Sequence, residues 1–140
     1  MAKAKYIILH AVSGILGLFF VYAGIAGLFF KKPRKQGAEN AVENSFMKLI
    51  AAFRETAYFM PMVKWFELIC GVLIIIPKTR LIGALALLPI TFNIFTIHLM
   101  LDPRVDEWIE TGLLFFANVT IVLFYFKKLI LHKPDWQRVN

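Results

Sequence analysis

Apolar positions along the chain gather into four runs, and the length of each run decides how it is read. Residues 6–30 carry no formal charge apart from whatever His10 takes up. A run of that length spans a hydrocarbon core of about 30 Å with some tilt. It is too long for the apolar part of a signal peptide, and no convincing small-residue cleavage site follows it, so it reads as a retained span. It is rich in small residues (Ser13, Gly14, Gly17, Ala23, Gly24, Ala26, Gly27), which let a neighbouring helix approach closely. Residues 81–101 form an equally clear run with Pro89 in the middle, a position a membrane helix tolerates with a kink. A further run, 108–126, is closed by Lys127 and Lys128 as interfacial anchors. The second run is the weakest. Residues 68–76 are strongly apolar but short, and reaching span length means starting near Tyr58 and taking in Pro61, Lys64 and Glu67.

The connections differ as much as the runs do. Pro77-Lys78-Thr79-Arg80 is a tight turn and predicts an antiparallel hairpin of the second and third spans, whereas residues 102–107 form a short acidic loop. The first connection is long and opens with the basic cluster Lys31, Lys32, Arg34 and Lys35. Asn40-Ala41-Val42-Glu43 then resembles a capping box. After it, Phe46, Leu49, Ile50 and Phe53 recur at helical spacing, predicting an amphipathic helix over about 41–57 that lies in or near the interface or packs over the bundle as a lid. The fold class expected is all-α: one integral domain over 1–140, a four-helix transmembrane bundle with spans at about 6–30, 58–77, 81–101 and 108–126, and an interfacial helix between the first two.

Composition agrees with the pattern. Hydrophobic residues make up 59% of the 140 positions and charged ones 18%, with mean hydropathy +0.68. A soluble protein of 16.1 kDa has too little interior to hide so much apolar surface, which excludes disorder and argues against an ordinary cytosolic enzyme. The single cysteine, Cys70, allows neither an internal disulfide nor a Cys-rich zinc site, and no HxxH or HExxH spacing exists, so no metal is expected. The net charge of +7 comes from basic residues that flank apolar runs, which points to an anionic membrane surface and away from nucleic acid. Four spans put both termini on one side. Basic residues near the helix ends divide evenly between the two sides, and the uniformly basic tails and turn favour a cytoplasmic placement of both termini. The expected location is the inner (cytoplasmic) membrane of a bacterium.

Polar groups inside a span are costly, so each asks for a reason. The candidates are His10, Glu67, Asn93, His98, Glu110 and Asn118. Helix rise places His10 toward the terminus side and His98 about 25 Å beyond residue 81, so the two cannot share one haem iron within a monomer. Lys64, Glu67, His98 and Glu110 instead gather toward the loop side. Glu67 reads either as a partly buried acid coupled to a bound quinone, lipid or proton path, or as a polar staple with Lys64 three residues away on the same face. His98 reads as a ligand contact or as an interfacial residue, and Glu110 as a solvated helix-start acid. Asn93 and Asn118, both near mid-membrane on adjacent helices, read as interhelical hydrogen-bond partners, and Cys70 as a buried packing residue.

Three segments then resemble the DoxX and DoxX-like family of small four-span membrane proteins. These are the aromatic run into glycine at Phe20-Val21-Tyr22-Ala23-Gly24, the glutamate followed by glycine in Glu67-Leu68-Ile69-Cys70-Gly71, and the apolar third span ending in Ile97-His98-Leu99. The resemblance covers residues 6–126. It departs at Gly27, where the family often carries a lysine, which leaves Lys64 as the local cation for Glu67. The resemblance implies membrane-associated redox work, as a subunit linked to thiosulfate:quinone oxidoreduction or as a partner of oxidative-defence enzymes. On this reading Glu67 accepts or delivers a proton, His98 hydrogen-bonds a ligand carbonyl, and Lys64, Asn93 and Asn118 complete a ligand-binding set for a quinone or similar lipid-soluble molecule. Expected partners are membrane lipid and a membrane or soluble redox protein, with homo-oligomerisation left open. Two competing readings are a non-enzymatic scaffold or assembly factor that recruits a partner through residues 31–57, and a small transporter, for which the absence of an inverted repeat offers little support.

Overall fold

The computed structural model describes residues 2–30, 45–102 and 104–131, with side chains over 4–30, 45–102 and 104–126. The Asn40–Glu43 capping box, the basic cluster that opens the first connection and the C-terminal tail lie outside the described residues. Within them the chain forms five helices and is all-α: α1 (Ala2–Phe29), α2 (Ser45–Glu55), α3 (Phe59–Ile75), α4 (Arg80–Leu101) and α5 (Val105–Leu131). α5 starts three residues ahead of the expected 108, because Asp106 and Glu107 occupy its first turn, where negative charge favours the helix dipole.

Among the described residues three helices are long and apolar enough to cross a membrane: Ala4–Phe29, Arg80–Leu101 and Val105–Phe126. α3 has 17 residues, about 26 Å of helix, and meets that length only together with α2, from which it is bent by 92°. The candidate spans therefore number three, or four if the bent pair 45–75 counts as one. At the bend, Ala57 takes the left-handed conformation (φ 48°) that ends α2, and its N–H bonds the Arg54 carbonyl.

α1, α3, α4 and α5 pack antiparallel in a ring, α3 lying between α1 and α4. The closest approach is between α1 and α3. A Cβ on Gly71 would sit 2.8 Å from the Gly17 carbonyl, so both positions need glycine for the two backbones to touch. Leu16, Phe20, Cys70, Ile74, Ala84, Leu87 and Ile121 meet behind this contact as the core. Outward faces are apolar as well, with Ile15, Leu18, Tyr22, Leu113 and Phe116 largely exposed. In water such a surface would drive aggregation; against lipid it costs nothing. The chain is a small integral membrane protein.

The α3–α4 hairpin is tight, as expected, and the structure shows how it closes. Thr79 N–H bonds the Ile76 carbonyl across the turn. Thr79 Oγ1 donates to Leu73 O (3.0 Å), Arg80 Nε to Ile74 O (3.0 Å) and Arg80 Nη2 to Ile75 O (3.4 Å). Three carbonyls left over at the end of α3 are thereby satisfied. Arg80, expected as a turn residue, is in fact 2% exposed.

Candidate functional site

At the end of the bundle opposite the hairpin, α1, α3, α4 and α5 all contribute to a cavity of about 270 Å³. Phe19, Phe20 and Ala23 of α1 form one wall. Lys64 and Glu67 come from α3, Thr91, Ile94 and His98 from α4, and Glu107, Glu110, Thr111 and Leu114 from α5. The antiparallel ring explains the convergence. The last third of α1, the start of α3, the end of α4 and the start of α5 all lie at one depth, so residues distant in sequence share one end.

Glu67 is the buried charge of the site, with a side chain 3% exposed. Lys64 Nζ donates to its Oε2 at 2.7 Å, one helical turn away on α3. The reach of Lys64 depends on Gly27 of α1. A Cβ there would fall 2.5 Å from Lys64 Cδ and 2.8 Å from Cγ, so the alkyl chain of Lys64 lies in the space that any side chain at position 27 would fill. The glycine that breaks the family-like pattern is thus the one that admits the local cation.

His98 is held from behind. Its Nδ1–H donates to Asp102 Oδ2 at 3.0 Å, and the Phe46 ring of α2 packs 4.9 Å from the imidazole, centroid to centroid. Asp102 is a hub: its oxygens also accept from Arg104 N (3.1 Å), Nε (3.0 Å) and Nη2 (2.7 Å). Arg104 reaches on to Glu107 (2.8 Å) and covers the Phe46 ring at 5.8 Å. The Arg104 guanidinium holds the Asp102 carboxyl well below the usual range, at about 2, with the hydrogen bond from His98 adding to the effect. Asp102 in turn raises the Arg104 guanidinium.

Sequence reasoning read residues 102–107 as an acidic loop and missed this network. Its signal was present: an aspartate two residues before an arginine across a proline, the spacing of an Asx turn, and four residues after a histidine on a helix.

Of the residues singled out from the sequence, the structure brings Lys64, Glu67, His98 and Glu110 to the cavity. It does not bring Asn93 or Asn118 there, nor does it pair them with each other. Asn118 is fully buried and its Nδ2 donates to Thr91 Oγ1 at 3.3 Å, so the partner on α4 is a threonine two residues before Asn93. Two residues is about 200° around a helix, which turns Asn93 away from α5. Its amide bonds only its own helix, at Pro89 O (2.7 Å), and the side chain is exposed. His10 lies toward the opposite end and bonds Tyr6 O. Cys70 is buried in the core.

No protein-family model, characterised protein or solved structure matches the chain. The class that fold and site define is therefore that of a small helical membrane protein with an ionisable, aromatic-walled cavity at one end of its bundle.

Proposed function

We propose that the chain crosses the membrane four times, with α3 as the second crossing and α2 along the interface, and that the cavity binds the ring headgroup of a quinone or a similar lipid-soluble ligand. The observation that carries this reading is the placement of Glu67 and His98 on adjacent helices around one space walled by Phe19 and Phe20. At about 270 Å³ the space lies just under the ~300 Å³ of the smallest drug-sized sites. It suits a single ring and leaves an isoprenoid tail in lipid. The carboxylate and imidazole supply the few convergent polar groups that such a site needs.

The tautomer of His98 sharpens the chemistry. With Nδ1–H given to Asp102, neutral His98 presents a lone pair at Nε2 and accepts from a hydroxyl; protonated, it presents an N–H and donates to a carbonyl. The first state matches a quinol and the second a quinone. Glu67 takes or returns a proton beside it, with Lys64 as its counter-charge. These features agree with a DoxX-like, redox-associated subunit. The scaffold reading draws less support, since Phe46 at the start of α2 is buried against His98 and Phe53 at its end stacks on Phe59 of α3.

The test is binding of a short-tailed benzoquinone and its quinol to the purified protein in detergent. Glu67→Gln and His98→Ala are each expected to weaken binding about tenfold or more, the loss of one hydrogen bond to a charged partner. No binding by the parent, or unchanged binding by both variants, overturns the proposal.

A further inference from the structure

The outer face of α4 carries Ile82, Leu85, Pro89, Phe92, Thr96 and Leu99 at alternating steps of three and four, with Asn93 beside Phe92. That spacing alone says only that one side of a helix faces lipid, and the outer face of α1 shows it too. What sets α4 apart is polarity at depth. Asn93 lies thirteen residues from Arg80 and eight from Leu101, about 20 Å and 12 Å along the axis, and hence within the hydrocarbon. Its amide has two N–H donors and an acceptor oxygen. Among the described residues only the Pro89 carbonyl engages it. Four residues earlier, Pro89 has no N–H to give the Leu85 carbonyl on the same face. An amide thus faces lipid midway along α4, on the strip where Pro89 withholds a backbone donor, whereas Asn118, the amide at comparable depth on α5, is fully buried. Unmet groups of this kind are expensive in hydrocarbon.

We infer that this face of α4 is a self-association surface, on which two copies of the chain meet and the Asn93 amides hydrogen-bond each other. The occupant is a second copy because an amide is complementary to itself, donor to acceptor. Copies inserted with the same orientation are related by a two-fold axis along the membrane normal, which brings Asn93 opposite its counterpart at equal depth. Thr96, one turn on, lies on the same seam, where its small side chain admits close approach. The inference is independent of the cavity, which opens among the inner faces of the ring.

The experiment measures energy transfer between donor- and acceptor-tagged copies of the full chain in mixed micelles over a range of protein-to-detergent ratios. Transfer is expected to rise with protein density and to be competed away by untagged parent. Asn93→Val should weaken association roughly tenfold, while Asn93→Gln, which keeps the amide, should retain most of it. In a Cys70→Ser background, Thr96→Cys should oxidise to a disulfide-linked dimer and Tyr22→Cys, on the outer face of α1, should not. Circular dichroism melts confirm that each variant is folded, as expected for outward-facing positions. A chain that stays monomeric at every density, association unchanged in Asn93→Val, or cross-linking through Tyr22→Cys in preference to Thr96→Cys overturns the inference. So does cross-linking of Thr96→Cys in native membranes only to other proteins.

Discussion

The two ends of the bundle manage buried charge in opposite ways. At the hairpin end, Arg80 spends its guanidinium on backbone: Nε and Nη2 bond the last carbonyls of α3, no carboxylate joins them among the described residues, and Nη1 is buried without a partner. At the cavity end the buried charges among the described residues meet other side chains. Lys64 pairs with Glu67, and Asp102 collects His98 and Arg104, which extends to Glu107. The first arrangement closes a turn and leaves no proton to move. The second holds exchangeable protons around an open space. Two ends built from the same helices therefore differ in kind: one is a structural cap and the other a cluster of paired ionisable side chains beside a cavity.

The largest effect should come from breaking the pair at Glu67. Lys64→Ala leaves a nearly fully buried carboxylate without its cation and is expected to destabilise the protein by about 2–3 kcal/mol, below the full value for a buried pair because Lys64 is 29% exposed. Lys64→Ala combined with Glu67→Gln should recover most of the loss, as read by denaturant unfolding in mixed micelles. Recovery would show that the penalty is the stranded charge.

Next comes acid. The Asp102 carboxyl lies lower in the folded protein, at about 2, than in the unfolded chain. Its contribution is therefore fully present above about pH 4 and is lost as pH falls toward 2, about 2 kcal/mol over that window. Unfolding measured between pH 5 and 2 should show this decline in the parent and a flatter profile in Asp102→Asn.

Smallest is the hairpin. Arg80→Ala removes two donors to carbonyls near the membrane surface, where water and headgroups replace them in part, and should cost about 1–2 kcal/mol. That loss should be the same at pH 5 and pH 3, because no titrating partner faces Arg80 among the described residues. A pH-dependent loss there would erase the contrast between the two ends.

Much of the architecture could be read in advance because lipid reduces the problem to length and periodicity. Runs 6–30, 81–101 and 108–126 match α1, α4 and α5 to within a few residues, since a helix is the one open structure that satisfies its own backbone in hydrocarbon. The weak second run matches α3 in place and falls short in length: the helix runs Phe59–Ile75, bounded by the bend at Ala57 and by the turn that Pro77 opens, and it carries Lys64 and Glu67 inside it without a break. The candidate site was half legible. Depth arithmetic grouped Lys64, Glu67, His98 and Glu110, because helix rise converts residue number into height. It could not tell Asn93 from Thr91, because height says nothing of which way a side chain turns around the axis.

That angular choice belongs to packing between helices. Gly17 against Gly71 sets how α1 and α3 face each other, and Gly27 opens the channel through which Lys64 reaches Glu67. The meeting of His98, Asp102, Arg104 and Phe46 needs a loop and a helix that no periodicity joins. The sequence alone determined that the chain is helical and apolar enough for lipid, where three of its membrane-length helices run and at which end of the bundle Lys64, Glu67, His98 and Glu110 gather. The tertiary structure decided which polar groups look inward, because rotation about each helix axis is settled by close contact and by nothing within the helix itself.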